Sequence, residues 1–85
     1  MSQLEKALIR ISEKPKDYTY DEARALLQKL GFREENKGKS SGSRVKFFRS
    51  TDNTLILLHK PHPNKELPFG AIEGLVNKLH EIGEL

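Results

Sequence analysis

With 85 residues, 35% of them apolar and 32% charged, the chain has material for one small hydrophobic core and is too apolar in its periodic segments to be disordered. It has no cysteine, which excludes a disulfide framework, a thiolate metal site and a cysteine nucleophile. The net charge of +3 is unevenly held: residues 33–65 carry eight Lys and Arg against three acids, and the remainder seven against nine, so one basic segment is suited to a polyanion.

Leu4, Ala7, Leu8 and Ile11 recur at helical spacing and predict a helix from about Ser2 to Ser12, stopped by Pro15. Charges at Glu5, Lys6, Arg10, Glu13 and Lys14 interrupt this segment, so it is not a signal peptide. No stretch approaches a membrane span, and the expected location is the cytoplasm. Thr19 and Glu22 have capping-box spacing, and Ala23, Leu26, Leu27 and Leu30 form the apolar stripe of a second helix, about Tyr20 to Leu30, with Gly31 as its left-handed cap.

After Gly31 the period shortens. Phe32 to Asn36 reads as a short strand, residues 37–42 as a polar connection, and Arg44-Val45-Lys46-Phe47 as a half-buried strand. The turn Thr51-Asp52-Asn53 leads into a strand from Thr54 to His59, ended by Pro61 and Pro63. A last helix from about Pro68 presents Phe69, Ile72, Leu75, Val76, Leu79 and Ile82 as its buried stripe, weakened by Gly70, Gly74 and Gly83. The expected architecture is α+β in the order α-α-β-β-β-α: a three-stranded antiparallel sheet with helices on one face and the other face free. Leu55 and Leu57 point one way from the last strand, Ile56 and Leu58 the other. Either helices cover both sides, or the strand offers an apolar edge to a second chain, a homodimer partner included.

The basic residues Lys37, Lys39, Arg44, Lys46, Arg49, Lys60 and Lys65 gather on the hairpin running from about Gly42 to Lys65, with Phe48 among them to stack a base or complete a minor core. Ser43 and the backbone of the loop before it add groups for phosphate. The run Gly38-Lys39-Ser40-Ser41-Gly42-Ser43 lacks the glycine spacing of a phosphate-binding loop and opens no helix. His59 and His62 stand together beside Lys60 and Lys65, whereas His80, between apolar neighbours on the last helix, reads as a residue of the core border. Imidazoles titrate near neutrality, so a histidine in such a setting can serve as general base toward a ribose 2′-hydroxyl without a metal, or do no more than contact phosphate. A metal held by His59 and His62 would have only Glu66 to complete it and lysines to repel it. No metal and no cofactor are expected.

Leu30-Gly31-Phe32 at a helix end, Gly42-Ser43 directly before a strand with an aromatic at Phe47, a histidine before Asn64-Lys65-Glu66-Leu67, and a closing helix stand in an order and spacing that resemble the HicA family of bacterial toxins over roughly Thr19 to Leu79. The resemblance implies a fold like a double-stranded-RNA-binding domain, with residues 1–16 as an added N-terminal helix on a core of residues 17–85, all one domain. It implies a messenger-RNA interferase, a metal-independent endoribonuclease, held inactive by a HicB-like antitoxin. Members commonly use a histidine in a Gly-Ser-His motif at the start of the second strand, which here reads Gly42-Ser43-Arg44. Arg44 binds phosphate but stays protonated and cannot act as a base. The expected catalytic residues are therefore His62, which matches the family's second histidine, or His59, with Arg44, Lys46, Lys39, Ser43, Lys60 and Lys65 binding RNA phosphate. The alternatives are a non-catalytic RNA-binding module of this fold and a protein-interaction domain working through residues 55–58.

Overall fold

A computed structural model describes residues 2–35, 44–59 and 66–85. Among these residues three helices and three strands follow the order expected: α1 (Gln3–Ser12), α2 (Tyr20–Lys29), β1 (Arg33–Glu35), β2 (Arg44–Arg49), β3 (Thr54–His59) and α3 (Phe69–Glu81). The strands form one antiparallel sheet in the order β1-β2-β3.

The helix ends are set by local chemistry. At α2 the Glu22 amide donates to Thr19 Oγ1 at 3.1 Å, and the Thr19 amide donates to Glu22 Oε1 at 3.0 Å, the reciprocal box expected. A second box, Ser2 with Glu5, starts α1. Gly31 and Gly83 have φ of +96° and +84°, conformations that cost a glycine little. Each closes its helix with the same paired bonds, Phe32 N–H to Leu27 O with Gly31 N–H to Gln28 O, and Glu84 N–H to Leu79 O with Gly83 N–H to His80 O. Gly83 therefore terminates α3 rather than weakening it.

Alternation along β2 and β3 sends Val45, Phe47, Ile56 and Leu58 to one face, where they meet Tyr20, Leu26, Leu27, Ile72, Leu75 and Leu79 from the helices. Ile11 of α1 is fully enclosed in the same cluster. An isolated bridge between Thr19 and Glu66, with Leu67 N–H to Tyr18 O at 2.8 Å, ties the approach to α2 to the approach to α3. Two residues of the expected buried stripe are not fully enclosed: Phe69 is half exposed, and Ile82 packs against the core while only partly buried. Phe69 is the first residue of its helix, and Leu67, just ahead of it, is the buried residue at this helix start.

Arg49 closes the far end of β2 and is 9% exposed. Its guanidinium donates to Leu30 O at 3.0 Å, to Asp52 at 2.7 and 3.1 Å and to Glu84 at 2.9 Å, and lies 4.8 Å from the Phe32 ring centroid. One side chain thus joins the C-terminus of α2, the β2–β3 turn and the tail after α3. The sequence groups Arg49 with the basic residues of the working face; the structure instead spends its charge inside the fold.

The guanidinium of Arg49 holds the Asp52 carboxyl far below the usual carboxylate range, and the hydrogen bond from Arg10 lowers that of Glu22. Depressed folded-state values make these contributions full above the unfolded carboxylate range and lost as pH falls through the folded values. Urea titrations should therefore show stability declining below about pH 4, with a shallower decline in Arg10→Gln. At neutral pH, Arg49→Ala should cost about 2–3 kcal/mol, because a buried carbonyl and two carboxylates lose their shared donor.

Candidate functional site

All three helices lie on one side of the sheet, so the residues of the opposite parity face outward. The register arranges them in three rows. At one end Arg44 is the Cα partner of His59; in the middle Glu35, Lys46 and Leu57 lie across the sheet; at the other end stand Arg33, Phe48 and Leu55. Arg33, Lys46, Leu55, Leu57 and His59 are exposed, and Phe48 is partly buried. Among the described residues no element covers this face, in keeping with the expected free side of the sheet. Of the two readings of Leu55 and Leu57, coverage on both sides of the strand does not hold, since the residues are 46% and 50% exposed.

Among the expected site residues, the register brings Arg44 and His59 together at one end of the sheet, with Lys46 one row in. Glu35, Arg44 and His59, which flank the segments 36–43 and 60–65, are all strand-end residues at this end. Lys39, Ser43, Lys60, His62 and Lys65 lie outside the described residues. His80 is exposed on α3 rather than at the core border. Among the described residues no group of three or more His, Asp and Glu is arranged to hold a metal ion.

Along the edge of the same strand, where residues of both its faces meet α3, lies a feature that sequence reasoning did not identify. A groove of about 590 Å³ runs between β3 and α3, with Leu57, His59, Pro68, Ala71, Gly74 and Lys78 among its walls. Among the described residues β3 is an edge strand, and a Cβ built on Gly74 would meet nothing within 4 Å. The signal was present in Gly74, a mid-helix glycine with no turn to make, and in the two-sided apolar strand. Neither reveals by itself that they face one another.

The HicA family model, described as the toxin of bacterial toxin-antitoxin systems, matches residues 20–83. The chain belongs to the HicA toxin family. That membership gives it the role of a toxin component and implies a cognate antitoxin. No curated protein and no solved structure matches it. The HicA match begins with α2 and takes in the whole sheet and α3, while α1 precedes it yet places Ile11 in the core. No helix among the described residues is long and apolar enough to cross a membrane.

The outward and inward sides of β3 should differ sharply in their tolerance of substitution. Leu57→Thr should change stability by about 0.5 kcal/mol or less, whereas Ile56→Ala, its chain neighbour on the buried side, should cost about 2–4 kcal/mol. Comparable costs in chemical denaturation would contradict the assignment of faces.

Proposed function

We propose that the chain is an RNA-directed toxin of the HicA type, acting in the cytoplasm as a metal-independent endoribonuclease and restrained by a HicB-like antitoxin, with α1 an addition to a core of residues 17–85 within one domain. The observation that carries this reading is the register of β2 on β3. Position 44, where the family commonly has its histidine, is occupied by arginine, and its Cα partner across the hairpin is His59. Directly opposed strand residues have Cβ atoms about 4.5–5.5 Å apart, so an imaginary line from the family's usual base to its replacement is one strand wide. A general base entering from His59 reaches the space that a histidine at position 44 would serve.

The chemistry follows from those groups. His59 or His62 takes the proton of a ribose 2′-hydroxyl, the 2′-oxygen attacks the adjacent phosphorus, and the bond to the 5′-oxygen breaks as that oxygen receives a proton. The products are a 2′,3′-cyclic phosphate and a 5′-hydroxyl end. Arg44 and Lys46, with Lys39, Ser43, Lys60 and Lys65 from the flanking segments, bind phosphate and offset the charge that builds on it. The cation of Arg44 contributes here what it cannot contribute as a base. The exposure of Lys46 and the location of His59 at the strand end leave room for a chain of nucleotides along the outer face.

The test is RNA cleavage in the presence of a chelator, with end-group analysis of the products. Wild type should cleave to cyclic-phosphate ends, and His59→Ala or His62→Ala should lower the rate by about 10²–10⁴-fold. Full activity in both variants would remove the histidines from the mechanism. Salt-sensitive binding without cleavage in wild type would make the chain an RNA-binding module instead.

A further inference from the structure

Of the six aromatic residues, Tyr18, Tyr20, Phe32 and Phe47 are enclosed in the core and Phe69 opens α3. Phe48 alone stands on the outer face of the sheet, partly buried, with the exposed Arg33 and Leu55 as its cross-strand partners. Directly opposed residues of antiparallel strands have Cβ atoms about 4.5–5.5 Å apart, so Arg33 and Leu55 flank the ring on either side. No arginine caps it: among the described residues the guanidinium groups that lie over rings are Arg10 on Tyr18 and Arg49 on Phe32. Arg33 and Lys46 form no ion pair among the described residues, in contrast to Arg10, Arg24 and Arg49. The outer face therefore combines an uncapped aromatic with cations whose charge the fold has not spent.

We infer that Arg33, Phe48 and Leu55 form a base-stacking subsite for an unpaired nucleotide of single-stranded RNA, at the opposite end of the outer face from Arg44 and His59. This rests on the RNA-directed reading and names the form of RNA that the face accepts. The three groups divide as a nucleotide requires. The ring offers a π-face to a base of any identity, Leu55 extends the apolar platform, and the exposed guanidinium takes the phosphate. In a duplex both faces of a base are already stacked on its neighbours, so a ring set among side chains at the level of the sheet has no base face to meet. Phe48 lies four positions along β2 from Arg44, about 13 Å, so the stacked base belongs to a nucleotide other than the one whose 2′-hydroxyl reacts. Charge sets the path between the two ends. Lys46 occupies the middle row with Glu35 as its partner on β1, and that carboxylate turns phosphate away from β1 there. The RNA backbone follows β2 past Lys46 and meets β1 only at Arg33.

The test is a binding titration of the full chain with a single-stranded 2′-O-methyl RNA oligonucleotide, which has no 2′-hydroxyl proton to lose, and with the blunt duplex formed from it and its complement. Phe48→Leu keeps an apolar side chain and removes the ring; it should weaken single-strand binding about tenfold and leave duplex binding unchanged. Phe48→Tyr restores a ring and should bind the single strand within about twofold of wild type. Arg33→Gln, at an exposed position, should make the slope of log affinity against log salt shallower by about 0.7. Equal losses for single strand and duplex in Phe48→Leu would make the ring a structural residue and overturn the inference, as would Phe48→Tyr binding no better than Phe48→Leu. Where Phe48→Leu does not fold, an unchanged salt slope in Arg33→Gln overturns it alone. A wild type that cleaves RNA, with all three variants binding the single strand as it does, overturns the subsite and leaves the proposed function standing. A wild type that shows these binding differences without cleaving RNA keeps the subsite and removes the nuclease.

Discussion

A slip of β2 by one residue would carry Phe47 into solvent and Lys46 into the core, and a slip of β3 would do the same to Ile56 and Leu57. The register of this hairpin is therefore the constraint on which both halves of the molecule depend. It is held from the inside by the apolar alternation and from the turn by Arg49. Bonded to Asp52, Leu30 and Glu84 at once, Arg49 cannot shift along the strand without breaking contacts to two helices' ends. The outward face has no comparable packing to preserve, which leaves it free to carry charge, an imidazole and exposed leucines.

This division explains why a basic chain presents few free cations on its described sheet face. Arg10 is engaged by Glu22 and Asp17, Arg24 by Glu34, and Arg49 by Asp52 and Glu84. These pairs join helices, strands and the segments that connect or follow them, and spend their charge on the fold. Arg33, Lys46 and the position of Arg44 fall on the outer face, at the sheet whose strand ends flank the segments richest in lysine. Localised charge in the sequence thus becomes localised charge on a surface only after the internal pairs are subtracted.

Much of this was legible in the residues. The Thr19–Glu22 capping box, Gly31 after the second helix and the continuous apolar run from Thr54 to Leu58 are local signals, and they set α2 and β3 closely. Arg49 was not legible as a structural residue, because its partners Leu30 and Glu84 are 19 and 35 positions away. The extension of β2 to Arg49 was missed because the Phe47-Phe48 doublet hides the alternation, Phe48 facing outward beside Leu55 and Arg33. Arg44 and His59 are both site candidates from the sequence, but their direct opposition depends on turn length and register together. The groove under β3 joins residues from two elements, and no periodicity in either one announces it.

The central claim is that the Arg44–His59 end of the outer sheet face is where RNA sits. Backbone amide NMR during titration with a 2′-deoxy oligonucleotide, which cannot be cleaved through a 2′-hydroxyl, tests it directly. The account predicts the largest shift changes at Arg44, Val45, Lys46, Leu58 and His59, diminishing with added salt. Changes confined to α1 and α2, or spread evenly over the surface, would contradict it.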